Sequence, residues 1–328
     1  KCMLAALPIL SHQAAASTGL ADVLRKFLPD NFVLMLFGTL LVAWMFPLSN
    51  KALPWAQNIS FAGIFCLFFL HGLRLPRREV ARAMLGWRLQ GTMLAFTFLL
   101  MPLLGIGISK IAAKFLPAAL AAGLLYAAIL PSTVQSAVSY TSLARGNIAA
   151  SVIGSALSNL SGIFLTPLLF ALLLGSASGV AIDGNVVVKI VTMLLLPFLM
   201  GQAAQKWLGK WAADQRYLLT FFDRGVILLA VYVAFGAAVS SGALAGIDGI
   251  SLLYLLLFAA IFLAIAFGSA WLIGGVFGFP PADRISLLFA GAHKSIAIGA
   301  PMAALLFPST LAGLMIVPTI LYHQLQLI

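Results

Sequence analysis

The chain has 328 residues, 62% of them apolar and only 8% charged, with a formal net charge of +11 and a mean hydropathy of +1.10. Soluble domains carry about 25% charged residues, so this composition excludes a water-soluble enzyme, a nucleic-acid binder and a disordered chain. The basic residues stand between long apolar runs, which points to membrane topology and anionic lipid headgroups rather than to nucleic acid as a partner. Cys2 and Cys66 give neither a disulfide framework nor metal-ligand spacing.

Residues 1–30 read as a leader or interfacial segment, with a basic Lys1, an apolar run Cys2–Leu10 and small residues Ala14–Ala16. Cleavage of a signal peptide there would leave an external N-terminus and invert the charge bias described below. A spanning helix needs about 20 mostly apolar residues. Ten stretches qualify: Asn31–Leu48, Gln57–Leu73, Leu89–Ile108, Ala118–Leu143, Ile148–Leu174, Val186–Leu208, Phe221–Ser241, Ile250–Phe277, Ile285–Phe307 and Thr310–Ile328. No alternating barrel pattern occurs, so the expectation is an all-α membrane protein of ten transmembrane helices. With the N-terminal flank cytoplasmic, Lys51, Lys110, Lys114 and Lys189 fall outside, Lys294 falls within a span, and every other Lys and Arg falls inside. That bias predicts cytoplasmic N- and C-termini.

Polar residues concentrate in three spans. In the fourth, Pro131 interrupts the helix and is followed by hydroxyls with Gln135 and Ser136. In the fifth, Ser151, Ser155 and Ser158 recur at spacings of four and three, on one face, with Asn159 beside them. In the ninth, His293-Lys294-Ser295 stands near mid-span between Gly291 and Pro301, both read as helix breaks. His71 and His323 read as interfacial, and Asp223-Arg224 as a local ion pair opening the seventh span. Irregular polar backbone survives at membrane depth only against protein or a water-filled cavity. Interrupted helices at corresponding places in two halves point to a transporter's binding site. Spans four and nine are each fourth in a set of five. This predicts two inverted five-helix repeats, 31–174 and 175–328, with a site near the midplane. An ionisable group at that depth marks a functional site by default, and Lys294 is that group. No catalytic carboxylate pair or His cluster lies at membrane depth, so an enzyme is not expected and no cofactor is implied.

Pro131–Pro167, with Leu-Ala-Arg-Gly-Asn at 143–147 and Leu-Thr-Pro-Leu-Leu at 165–169, resembles the bile acid:sodium symporter superfamily. His293-Lys294-Ser295 and Pro301-Met302 resemble its SBF-like branch, which includes bacterial symporters. The resemblance implies a core and a panel domain, with broken helices four and nine crossing in the core. It further implies secondary active transport of an organic anion by alternating access, in a bacterial inner membrane. Carried over by position, Ser136, Ser151 and Ser155 match hydroxyl ligands of a Na⁺ site. Ala137 stands where an asparagine is expected, Phe289 where a glutamate is, His293-Lys294 where a Gln-Asn pair is, and Thr97 near a glutamine position. The carboxylate and amides of a cation site are therefore missing, and Lys294 could occupy the cation's place. Na⁺ and H⁺ both stand as coupling ions, Lys294 being a group able to exchange a proton. The alternative is a non-transporting membrane regulator of ion homeostasis with the same fold.

Overall fold

The structure, a computed structural model, describes residues 31–49, 51–74, 86–174, 188–189, 191–244 and 246–328. The predicted leader and the basic stretch holding Arg77, Arg78 and Arg82 lie outside the described residues. Among the described residues the secondary structure is entirely helical. The helices are α1 (Asn31–Met45), α2 (Leu53–Arg74), α3 (Trp87–Ala112), α4 (Ala118–Ile129), α5 (Val134–Leu143), α6 (Ile148–Leu173), α7 (Leu196–Asp214), α8 (Arg216–Ser240), α9 (Gly249–Val276), α10 (Pro281–Ala292), α11 (Ile296–Leu306) and α12 (Ser309–Leu325).

Among the described residues six stretches are long and apolar enough to cross a membrane, or seven if α4 and α5 count as one bent span. The protein is an integral membrane protein. The first, sixth and tenth predicted spans correspond to α1 with 15 residues, α7 with Lys206, Lys210 and Asp214 in its second half, and α12 with 17 residues. None of these three meets that measure of length and apolarity. In Pro281–Leu306, which holds α10 and α11, 78% of an 18-residue apolar window is buried, against 28–44% in the other five crossing stretches. The ninth predicted span is therefore the centre of the molecule.

Local chemistry explains most of the irregularities. Leu130 precedes Pro131 and takes an extended conformation, ψ 151°, because the proline ring disfavours helical backbone before it. The chain bends there by 68°. α3 carries a π-helical stretch at Phe96–Leu100, and another at Val191–Leu195 leads into α7. Each comes just before a proline, Pro102 and Pro197. A proline has no N–H, and a π turn shifts the bonding register past the missing donor. Outside the apolar segments, Asp248 caps α9 by accepting from Ser251 N–H at 2.8 Å. Hydrogen bonds from Ser251 hold its carboxyl below the usual carboxylate range.

α2 packs along α7, and α8 bridges two groups of helices, resting on α1 and α2 on one side and on α11 and α12 on the other. The tight turn after α5 has Arg145 at φ +61°, the sole non-glycine residue with positive φ among the described residues. It folds α6 back onto α5. Asn147 then caps α6, accepting from Ala150 N–H at 3.0 Å, while its own Nδ2 donates to Asp283 on α10 at 2.8 Å.

Two expectations about breaks need correction. Gly291 lies inside α10 and Pro301 inside α11. The ninth span unwinds between them, at His293–Ser295, where His293 and Ser295 have ψ 143° and 109°. Gly291 answers to packing instead: a Cβ there would sit 2.8 Å from the Phe96 ring.

Candidate functional site

Unwound backbone inside a membrane must find partners for every polar group, and here they can be traced. In the first break, Ile129 C=O accepts from Thr166 Oγ1 at 2.9 Å, and Ser132 N–H donates to Ser158 Oγ at 3.0 Å. In the second, Lys294 N–H donates to Gln326 Oε1 at 2.7 Å, and Lys294 C=O accepts from Gln326 Nε2 at 3.1 Å. One side-chain amide thus pairs with both polar groups of one peptide residue. His323 Nδ1 lies 2.9 Å from the same carbonyl. Tyr322 Oη donates to Ala292 C=O at 3.0 Å and Thr97 Oγ1 to Gly291 C=O at 3.3 Å. The two breaks meet directly where Ser295 N–H donates to Pro131 C=O at 2.9 Å.

Lys294 is fully buried. Its Nζ donates to Leu130 C=O at 2.8 Å, Ala128 C=O at 2.9 Å and Thr97 C=O at 3.4 Å. Three acceptors match the three donors of an ammonium group. Among the described residues the one ion pair is Arg74–Asp223, so the lysine is held by carbonyl dipoles and not by a carboxylate. Two of those carbonyls belong to the C-terminal end of α4, the negative pole of a helix.

The opposite poles face the other way. Val134, the first residue of α5, and Ile296, the first of α11, both line a cavity of about 560 Å³. Neither helix has a side-chain N-cap, so first-turn N–H groups are left for whatever enters. Gln135, Ser136, Asn159 and Ser295 also line this cavity, and Arg74, Asp223 and Arg224 stand in its wall. The crossing therefore separates charge: carbonyls grip a cation on one side, and helix N-termini face the cavity on the other, where Arg224 and the paired Arg74 and Asp223 stand in the wall.

The predicted site residues divide along the same line. Ser136 and His293 come together, Oγ to Nδ1 at 3.1 Å, and Ser136 also bonds Thr133. Aromatic rings of Tyr140, Phe267 and Phe289 enclose the His293 ring. Ser151 is buried and accepts from Thr141 Oγ1 at 3.1 Å. The Ser155 hydroxyl and Asn159 Oδ1, one turn apart on α6, are buried without a partner. They offer hard oxygens to a small cation, but no hydrogen bond joins Ser136, Ser151 and Ser155 into one cluster.

One other expectation fails, the local Asp223-Arg224 ion pair. Asp223 lies inside α8 rather than at its start, and it pairs with Arg74 of α2 in a bidentate contact, 2.8 Å for each bond. Arg224 lies over the Phe32 ring. His71 and His323 both line the cavity. Gln326 was not anticipated as a functional residue, yet a signal exists: Thr319, His323 and Gln326 recur at spacings of four and three on one face of the last helix. The Arg74–Asp223 pair is partly exposed, and a bidentate bond in that setting couples by about 1 kcal/mol. Arg74→Gln, Asp223→Asn and the double variant, compared by thermal unfolding, are expected to give that coupling; additive losses would show that the pair contributes nothing.

Comparison with known proteins identifies the family. “Uncharacterized protein PA2026” of Pseudomonas aeruginosa is 41% identical over 307 residues, covering 92% of this chain and 91% of the relative. “Putative symporter YfeH” of Escherichia coli (strain K12) is 37% identical over 298 residues, 91% of this chain and 90% of the relative. “Sodium/bile acid cotransporter 7” of Mus musculus is 27% identical over 279 residues, 83% of this chain and 80% of the relative. The family model for SBF-like CPA transporters matches residues 30–328. The resemblance in spans four, five and nine holds along almost the whole chain, and the protein belongs to the SBF-like CPA transporter family.

Proposed function

We propose that the protein is a secondary active transporter that carries a small amphipathic organic anion by alternating access, with its site at the crossing of the two broken helices. The observation that carries this reading is the separation of charge. Uncapped N-termini of α5 and α11 share a cavity with Arg74 and Arg224, an arrangement suited to a carboxylate or sulfonate. The relatives' names add the words symporter and bile acid cotransporter.

In this reading residues 31–174 and 175–328 are two inverted five-helix repeats. α1, α2, α7 and α8 form a panel, and the other helices form a core. The membrane is a bacterial inner membrane with both chain ends cytoplasmic. The large cavity opens at the end that carries Arg74 and Arg224, the basic-rich side. A smaller cleft of about 210 Å³, lined by Ser60, Lys189, Val233 and Ala312, lies between α2 and α8 and the α11–α12 pair at the other end. Rocking of panel against core would close one and open the other.

Lys294 takes the cation's place at the crossing and is a group able to exchange a proton, so this reading takes the proton rather than sodium as the coupling ion. Uptake of a bile acid into proteoliposomes tests both levels. Accumulation is expected to follow an inward proton gradient and to persist when choline replaces sodium. A strict sodium requirement overturns the role given to Lys294, and the absence of gradient-driven uptake of any organic anion overturns the transporter reading.

Bundle rocking has its own test. Cysteines at Val233 and Ala312, in a Cys2→Ser, Cys66→Ser background, bridged by a reducible reagent, are expected to stop uptake until the bridge is reduced. Wild-type uptake by bridged protein rules out relative motion of the bundles.

A further inference from the structure

A groove of about 480 Å³ runs on the outer surface between the first half of α3 and the end of α9. Gly91, Ala95, Phe96, Leu99, Ile273 and Phe277 form its walls and floor. It is open to its surroundings, with Leu99 63% and Phe277 52% exposed. Gly91 makes it deep: a Cβ at that position would meet nothing within 4 Å. Such a slot fits a hydrocarbon chain, and at membrane depth hydrocarbon is what surrounds it.

One end of the groove is not apolar. Arg88 stands there beside Trp87, a residue suited to the headgroup level of a bilayer. Arg88 is exposed, and its guanidinium has no hydrogen bond or ion pair with any described residue. Among the described residues, the acid that shares a pocket with Arg88 is Asp283, on its far side from the groove, and Asn147 Nδ2 donates to it at 2.8 Å. The groove thus ends in an uncommitted positive charge at interface level, and that charge selects among lipids.

We propose that this groove seats an anionic phospholipid from the leaflet on Arg88's side, with the phosphate on Arg88 and one acyl chain along Gly91, Ala95 and Leu99. The seat reaches the crossing through a single layer. Its floor is the π-helical stretch of α3, Phe96–Leu100. The inner side of that stretch holds the ninth span: Phe96 packs on Gly291, Thr97 Oγ1 donates to Gly291 C=O, and Thr97 C=O accepts from Lys294. A lipid chain in the groove backs the turn that supports Lys294, so the lipid stabilises the protein as well as binding it.

The proposal does not depend on transport, and its test reads lipid binding alone. Purified wild type, Arg88→Gln and Gly91→Leu are offered equal amounts of phosphatidylglycerol and phosphatidylcholine with identical chains, and retained lipid is counted by native mass spectrometry. One arginine at the headgroup gives an expected preference for phosphatidylglycerol of about fivefold in the wild type. Arg88→Gln should bring the ratio to about one, and Gly91→Leu should lower retention of both lipids by filling the slot. Phosphatidylglycerol should raise the melting temperature of the wild type and leave that of Gly91→Leu unchanged. Both variants sit in open space on α3, and leucine favours a helix more than glycine does, so each is expected to fold. Equal retention of the two lipids by wild type, or wild-type retention by Gly91→Leu, overturns the proposal.

Discussion

Lys294→Ala is expected to lower the stability of the folded protein by on the order of 3 kcal/mol or more, since each buried carbonyl left without a donor costs roughly 1–3 kcal/mol. The three carbonyls concerned, Thr97, Ala128 and Leu130, lie where no other described side chain reaches them. The more telling result concerns ions. The vacated seat has three inward-facing oxygens and room for a small cation, so the stability of Lys294→Ala should rise with sodium, potassium or methylammonium chloride while wild type stays indifferent among them. Lys294→Glu adds a carboxylate to the same oxygens and should make folding depend on a cation altogether. The measurement is thermal unfolding of all three proteins against each salt. If Lys294→Ala melts like wild type, or if wild type itself responds to sodium as the variant does, the lysine is not a cation held in a seat.

Glycine substitutions at the α2–α7 contact should be comparably severe for a different reason. A Cβ on Gly72 would lie 2.1 Å from Phe198 C=O, and one on Gly201 would lie 2.0 Å from Phe69 C=O. In both cases the obstacle is backbone, which cannot rotate aside. Small residues let membrane helices approach this closely, and the association then rests on packing and not on a hydrophobic drive. Gly72→Ala and Gly201→Ala are each expected to cost about 3 kcal/mol, the upper end for overpacking. Gly268→Ala, at a helical glycine with open space around it, should be neutral or stabilise by up to about 1 kcal/mol. Size-exclusion profiles of heated samples would rank the three. Equal melting of Gly201→Ala and Gly268→Ala would mean that α2 and α7 can part without loss.

Apolar run length made the helices legible, because a bilayer imposes that length on any crossing segment. Pro131 announced its break for a covalent reason that needs no tertiary partner. The ninth span was harder. Gly291 and Pro301 looked like the breakers, yet the residues that unwind are His293–Ser295, and nothing in their own chemistry forbids a helix. They unwind because partners elsewhere take their backbone groups: Gln326 for Lys294, Pro131 for Ser295. Local rules contain no term for a partner 32 residues away. The same limit hid Arg74 as the partner of Asp223, 149 positions distant, so the neighbouring Arg224 took its place in the reading. Lys294 stood out because a charge at membrane depth is conspicuous whatever surrounds it. What it binds could be known only once α4 was set beside it.

The seat of Lys294 also sets an order of events while the chain is being made. All three of its carbonyls lie in the first half, and the lysine follows Leu130 by 164 residues. At about 5–20 residues per second, the ribosome needs on the order of 10–30 s to deliver it. Throughout that interval the first half sits in or beside the translocon with an open bend and three oxygens that lipid cannot satisfy. Expressed alone, residues 31–174 should be a substrate for membrane quality-control proteases. Supplied from a second transcript, residues 175–328 should rescue that fragment, and the rescue should fail when the second fragment carries Lys294→Ala.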